Sequence, residues 1–310
     1  MKRTLIITIG VIVVGGLALV GAYSLFRGPT LGVLVNVLRF LGTPIAQEDT
    51  GATVEGPSFT EDRDSDGLSD AKEEIYGTNS VLPDTDGDNF TDGAEVRKGF
   101  DPKVAGQGKI ADNPELMRNL TIAYFEWARE TSNIEDPQLA EQGIQTFLIS
   151  RKQDRLILPT VEDNEIVRTD ASGPDAVKAY LDAFAQVTLP PVTASYLDLA
   201  EGSLQEETQT IIDTVVLGID ATYEQIRRIP TPQEAIEVQR GQLATMKALK
   251  ELFLDLKSVR RDPVKLIRDI SWGNELVLKS ADIEKKRQEL GLITNPAFQN
   301  SNQGTGDSNQ

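Results

Sequence analysis

"DRDSDGLSDAKEE", residues 62–74, places Asp62, Asp64, Asp66, Asp70, Glu73 and Glu74 within thirteen positions. Carboxylates held this close repel one another unless a cation sits among them. The stretch recurs. Moved along by 22 residues, Asp62, Asp64, Asp66, Asp70 and Glu73 fall on Asp84, Asp86, Asp88, Asp92 and Glu95, and Gly77 falls on Gly99. Six coincidences at one offset identify an internal duplication.

Each copy offers oxygen donors at positions 1, 3, 5, 9 and 12 of a twelve-residue loop, the spacing of EF-hand-type calcium loops. Calcium takes six to eight oxygens at about 2.3–2.6 Å, so a loop that holds it must curl and aim alternate side chains inward. Asp at positions 1, 3 and 5 meets that need. Position 7, Leu68 or Phe90, offers its backbone carbonyl while its side chain is expected to pack into a small core. Glu73 or Glu95 at position 12 closes the shell with a bidentate carboxylate. Position 6 requires a sharp turn; Gly67 supplies it in the first copy and Asn89, which tolerates the left-handed conformation, in the second. Gly87 at position 4 adds freedom to the second loop. Magnesium fits less well, because it demands stricter octahedral geometry and fewer protein ligands.

The stretch "DRDSDGLSDAKEEIYGTNSVLPDTDGDNFTDGAEVRKGFDP" resembles the thrombospondin type 3 calcium-binding repeats of bacterial surface proteins. The resemblance rests on the DxDxDG start, "GTN", "PDTDGD", "TDGAEV" and the closing "DP", and it departs from the family pattern mainly at Asn89. It implies Ca2+ as the bound ion, the carboxylates of each copy as its ligands, and a cassette with little regular structure. It covers about 41 of the 310 residues.

The rest of the composition narrows the chemistry. The chain has no histidine and no cysteine, which excludes disulfides, thiolate or imidazole metal sites, and Ser-His-Asp or Cys-His catalysis within it. A formal charge of −17 argues against a nucleic-acid partner, since phosphate binding needs a basic face. Residues 61–101 carry 13 acids against 4 bases and so account for about half of that charge.

The amino terminus reads as membrane-bound. Behind Lys2 and Arg3, the 22 residues from Leu5 to Phe26 carry no charge and would reach about 33 Å as a helix, enough to cross a hydrocarbon core of about 30 Å. The leading positive pair orients the N-terminus to the cytoplasm and the bulk of the chain outside. Cleavage as a signal peptide near Val20 and Ala22, giving a secreted protein, is the alternative; the length of the run favours a retained anchor. A second apolar stretch, residues 31–46, contains Asn36, Arg39 and Pro44 and reads as a membrane-proximal helix lying at the surface rather than as a span. Residues 47–61 read as a polar tether.

Beyond the cassette the texture is helical. A helix is expected from Asn113 as N-cap and Pro114 as first helical residue, with Leu116, Leu120, Ala123, Tyr124 and Trp127 on its apolar stripe. A second is expected around 137–150, and a third in "SGPDAVKAYLDAFAQV" with Ala176, Val177, Tyr180, Leu181 and Phe184 on one face. The piece between Leu156 and Val167 reads as a short strand or loop. Three long helices follow, at about 192–228, from Thr231 as N-cap to about Val259, and from Asp262 and Pro263 to near Gly291. The first carries Leu204, Thr208, Ile211, Val215, Ile219, Thr222 and Ile226, and the second Leu243, Met246, Leu249, Phe253 and Leu256. Proline-marked joints between long helices suggest an antiparallel bundle. No phosphate loop, nucleophile elbow or kinase signature is present, and acid pairs such as Glu206 with Glu207 or Asp198 with Glu201 read as solvated charge.

The expected architecture is therefore mainly α. It comprises a cytoplasmic tip and anchor (1–27), a membrane-proximal apolar segment (28–46), a linker (47–61), a duplicated calcium cassette (62–102), a helical bundle (112–292) and a disordered tail (293–310). The expected function is a membrane-anchored, extracytoplasmic calcium-binding protein with a structural or interaction role in the cell envelope and an unidentified protein or envelope partner. Calcium would stiffen the stalk that presents the bundle. No enzymatic activity is expected; an envelope hydrolase or a ligand sensor is the alternative.

Overall fold

The computed structural model describes residues 61–131, 137–153, 155–188, 199 and 206–294. The predicted span, the membrane-proximal segment, nearly all of the tether, most of the tail and the first part of the helix expected from residue 192 lie outside the described residues. Among those described, no helix is long and apolar enough to cross a membrane, and the structure is helical, with only two isolated bridges, Phe100 to Lys109 and Arg168 to Thr231.

Two short helices belong to the acidic repeats, α1 (Asp70–Tyr76) and α2 (Asp92–Lys98). The bundle is built from α3 (Leu120–Thr131), α4 (Pro137–Ser150), α5 (Pro174–Phe184), α6 (Glu206–Arg227), α7 (Ile236–Asp255) and α8 (Pro263–Ile293). Ion pairs fix the direction of the long helices. Lys250 meets Asp220 and Lys257 meets Asp213, so α7 runs antiparallel to α6. Arg268 meets Asp255 near one end, and Gly241 lies against Ile283 near the other, so α8 runs antiparallel to α7. A β-carbon at Gly241 would come within 2.9 Å of Ile283 Cγ1, which is why the crossing of these two helices carries glycine.

The apolar stripes pack as the periodicity requires. Val215, Ile219, Ile226, Leu243, Met246, Phe253 and Leu256 are buried, and Val177, Tyr180 and Phe184 fill the α5 face. Ile211 is the exception: it is 43% exposed, and its neighbour Ile212 is buried in its place. The segment 156–167 is a loop with one 3-10 turn, Asp163–Glu165.

Two predicted helix starts move. Asn113 does not open α3. Its side-chain oxygen accepts from the N–H groups of Glu115 and Leu116, a 3-10 turn (Leu116–Arg118) intervenes, and α3 begins at Leu120 with Asn119 Oδ1 accepting from the N–H groups of Thr121 and Ile122. Thr231 does not cap α7. Its backbone is committed to the bridge with residues 167–169 and its hydroxyl donates to Ile229 O, so a 3-10 turn (Gln233–Ala235) precedes the helix. Asp262 does precede Pro263 at the start of α8, but its carboxylate serves another helix. It accepts from Leu120 N, Thr121 N and Thr121 Oγ1, while Thr121 Oγ1 accepts from Val264 N. The first turns of α3 and α8 thus satisfy each other's free N–H groups.

The acidic cassette is not a separate bead on this bundle. Leu68, Ala71, Ile75 and Tyr76 form one buried cluster with Ile110, Leu116 and Ile122, against which Phe125 and Met117 pack, and the Tyr76 and Phe125 rings stack at 6.5 Å. The first repeat and the first bundle helix share this core.

Candidate metal centres

The two acidic loops share three rungs of one hydrogen-bond ladder at the 22-residue offset and differ at position 1, where Asp62 also accepts from Asp66 N at 3.2 Å and Asp84 from Gly87 N at 2.7 Å. The position-1 acid accepts from the position-6 N–H: Asp62 from Gly67 at 2.9 Å, Asp84 from Asn89 at 2.8 Å. The position-3 acid accepts from position 5: Asp64 from Asp66 at 3.3 Å, Asp86 from Asp88 at 3.1 Å. The position-5 acid accepts from position 7: Asp66 from Leu68 at 2.7 Å, Asp88 from Phe90 at 2.9 Å. Such Asx turns curl the chain so that alternate carboxylates converge. In each loop one oxygen from positions 1, 3 and 5 lies within 4.8 Å of the others, and these two trios are the groupings of potential metal ligands among the described residues.

The curl needs a left-handed residue at positions 4 and 6 in both copies. The first loop uses Ser65 (φ 61°) and Gly67 (φ 89°), the second Gly87 (φ 82°) and Asn89 (φ 73°). Each copy therefore spends one glycine and one small polar residue, in opposite order. Asn89, the one departure from the repeat pattern, takes the conformation that glycine takes in the first loop.

Glu73 and Glu95 enter from the first helical turn and are 1% and 3% exposed. Glu73 Oε2, both Glu95 carboxylate oxygens, Asp64 Oδ2 and Asp86 Oδ2 are buried without a hydrogen-bond partner. Burial and the nearby charges of Asp64, Asp66 and Asp70 push the Glu73 carboxyl up to about 7; burial and Asp86, Asp88, Asp92 and Asp84 do the same to Glu95, also to about 7. Asp64 and Asp86 are raised for the same reasons, burial first. Buried carboxylate oxygens that lack donors are costly unless a cation takes their place. The donor set is all oxygen and strongly anionic, which suits a hard divalent ion. The residues present fit a calcium ion in each loop.

The position-9 acids are placed differently. Asp70 accepts from Arg63 N at 3.1 Å and pairs with Arg63 Nε at 2.7 Å; Asp92 accepts from Thr85 N at 2.9 Å and from Thr85 Oγ1 at 2.6 Å. Both brace position 2 of their own loop, and neither belongs to the trios. The sequence gives no sign of this brace, because the constant donor is a backbone N–H that any residue supplies. Position 5 has a second partner too: Asp66 Oδ2 accepts from Gly93 N at 2.6 Å and Asp88 Oδ2 from Gly106 N at 2.8 Å, so each loop is tied to the chain that follows it. Position 7 splits the copies. Leu68 is buried, as expected, but Phe90 is 55% exposed and carries Lys98 Nζ over its ring at 5.7 Å.

Two loops that curl alike, present the same oxygens and end in the same short helix form a tandem acidic repeat whose carboxylate trios could hold a metal ion. Residues 62–83 and 84–105 each match the bacterial TSP3 repeat, which sets the repeat boundary between Pro83 and Asp84. No curated protein and no solved structure matches the chain.

Proposed function

We propose that the protein binds two calcium ions and uses them to fix a membrane-tethered helical domain in the cell envelope, in a structural or interaction role. The observation that carries calcium binding is the set of buried, partnerless carboxylate oxygens at positions 3 and 12 of both loops. Asp62, Asp64, Asp66 and Glu73 hold the first ion and Asp84, Asp86, Asp88 and Glu95 the second, with the carbonyls of Leu68 and Phe90 at position 7. Asp70 and Asp92 shape the loops from position 9. The ion supplies charge neutralisation and a fixed geometry.

The membrane tether rests on the uncharged run from Leu5 to Phe26 behind Lys2 and Arg3, and the extracytoplasmic orientation on that positive pair. Outside the cell calcium is abundant, and modules working there bind it at about 10⁻⁴–10⁻³ M. A binding role rather than catalysis rests on a chain without histidine or cysteine, and the acidic balance makes a protein or envelope component a better partner than nucleic acid.

Calorimetric titration of the chelator-treated full chain in detergent tests this reading. Two saturable sites, both lost in the Asp62→Ala, Asp84→Ala double variant, are expected. Absence of binding at millimolar calcium would reduce the repeats to an acidic spacer. Membrane fractionation with alkaline extraction, together with the intact mass of the mature chain, tests the anchor.

A further inference from the structure

The two loops bind alike but are not mounted alike. In the first copy the loop and its helix are themselves part of the core: Leu68 sits at position 7, and Ala71, Ile75 and Tyr76 flank Glu73 within a turn on either side. At the 22-residue offset these become Phe90, Gly93, Arg97 and Lys98, of which Phe90, Arg97 and Lys98 are exposed. The second copy reaches the shared core through one partly buried side chain, Val96, and indirectly through Ile110, whose N–H donates to Gly99 O at 3.0 Å.

We propose that calcium in the first loop, not the second, controls whether the cassette is docked on the bundle, so that the ion switches the orientation of the helical domain. This rests on the calcium reading above. Docking requires Glu73 to be 1% exposed and Leu68 to be 3% exposed at the same time, on a loop of twelve residues. Without a cation, Asp64 and Glu73 keep buried oxygens that nothing satisfies, and they can reach water only if the loop opens. Opening moves Leu68 directly. It moves Ile75 and Tyr76 through α1, since Gly77 N and Thr78 N both close on Glu73 O and make Glu73 part of the helix end. The apolar contacts to Ile122 and Phe125 are then lost together. Opening of the second loop frees one partly buried contact, Val96, from that core and leaves Leu68, Ala71, Ile75 and Tyr76 seated.

The chain contains no cysteine, so two labels can be placed without background. Val81 in the cassette and Leu278 on α8 are 63% and 71% exposed, and Val81→Cys with Leu278→Cys, spin-labelled in the full chain in detergent, report the cassette-to-bundle distance by pulsed electron paramagnetic resonance. A single narrow distance is expected in calcium, lost on chelation. Glu73→Gln, and independently Asp64→Asn, lose it in calcium; Glu95→Gln keeps it. Tyr76→Ala loses it in calcium while calorimetry still counts two filled sites, which separates docking from binding. A narrow distance that survives chelation, or a Glu95→Gln variant as broad as Glu73→Gln, overturns the proposal. If calorimetry on the same proteins finds two calcium sites and the distance ignores them, the docking inference alone falls; if it finds none, the calcium reading falls with it.

Discussion

The two repeats hold their carboxylates by one hydrogen-bond ladder, yet they turn different faces to the molecule. In the first, Leu68, Ala71, Ile75 and Tyr76 are buried against the bundle; in the second, the same places carry an exposed Phe90, a close-packed Gly93 and two cations, Arg97 and Lys98. The inward residues repeat the same carboxylates at positions 1, 3, 5 and 12 in both copies. The outward residues answer only to what each copy rests on. After duplication the interior of a metal loop is conserved between copies by chemistry, and its exterior is free to become an interface or a solvated surface.

The contrast is broken most severely at position 15 of each repeat. Tyr76→Ala removes a ring that is 2% exposed and stacked on Phe125, and should cost about 3–5 kcal/mol, the range for deleting a buried aromatic side chain. Lys98→Ala, at the matching place, should stay within about 0.5 kcal/mol. Denaturant unfolding in saturating calcium measures both. Equal costs would mean that the apolar face of the first repeat does not hold the cassette.

Position 10 gives the next largest effect, with an inverted sign. Helix propensity alone predicts that Gly93→Ala stabilises and Ala71→Gly destabilises, each by about 1 kcal/mol. A β-carbon at Gly93, however, would meet Asp66 O at 2.7 Å and Leu68 N at 2.8 Å, which are backbone atoms of the other repeat and cannot swing aside. Gly93→Ala should therefore lower the melting temperature, at a cost of about 1–3 kcal/mol.

Protonation should shift both copies together and reveal the ion. In the closed loops without a cation, burial and the neighbouring carboxylates push Glu73 and Glu95 up to about 7, above their unfolded value of about 4.3. The folded state then binds more protons than the unfolded one between those values, so stability falls as pH rises through that window. Melting temperature in chelator should be higher at pH 5 than at pH 7.5. In calcium the order should reverse, because protons compete with the ion for the same oxygens. A metal-free protein that loses stability on acidification across this window would show that the glutamates are satisfied by something other than a cation.

The smallest effects lie at the left-handed turns. Ser65→Gly should stabilise the first loop by about 1 kcal/mol and Asn89→Gly the second by about 0.5 kcal/mol, since asparagine tolerates φ near 73° better than serine tolerates 61°. Thermal melts in calcium resolve the difference. A larger gain at Asn89 would mark that residue as strained.

The acidic repeat was readable because carboxylate spacing, glycine placement and the 22-residue offset report the same loop. The long helices were readable because their stripes sustain the helical period over many turns and prolines mark their joints. The helix starts at Asn113 and Thr231 were not legible: both residues have the right type for a cap, but their backbones are committed elsewhere, to a 3-10 turn and to a bridge with residues 167–169. The docking of the first repeat left a trace that matching alone passes over. The offset that pairs Asp62 with Asp84 also pairs Ile75 with Arg97 and Tyr76 with Lys98, and the mismatches, not the matches, mark which copy meets the bundle. The partners of Asp66 and Asp88 at Gly93 N and Gly106 N had no sequence signature, because backbone donors have none.

The exchange between Asp262 and the start of α3 bears on how the chain is made. Leu120 N and Thr121 N find their acceptor 142 and 141 residues further along, and Asn119 Nδ2 reaches Arg261 O across a similar distance. A chain still emerging from the ribosome holds the acidic repeats and α3 long before it holds residue 262. Until then the first turn of α3 has only the Asn119 side chain to cap it, and the core shared by Tyr76 and Ile122 has a partly formed wall. Release of a fragment ending before Asp262 should therefore yield acidic loops on a poorly closed support. The loops arrive early in synthesis, but their mounting is completed almost last.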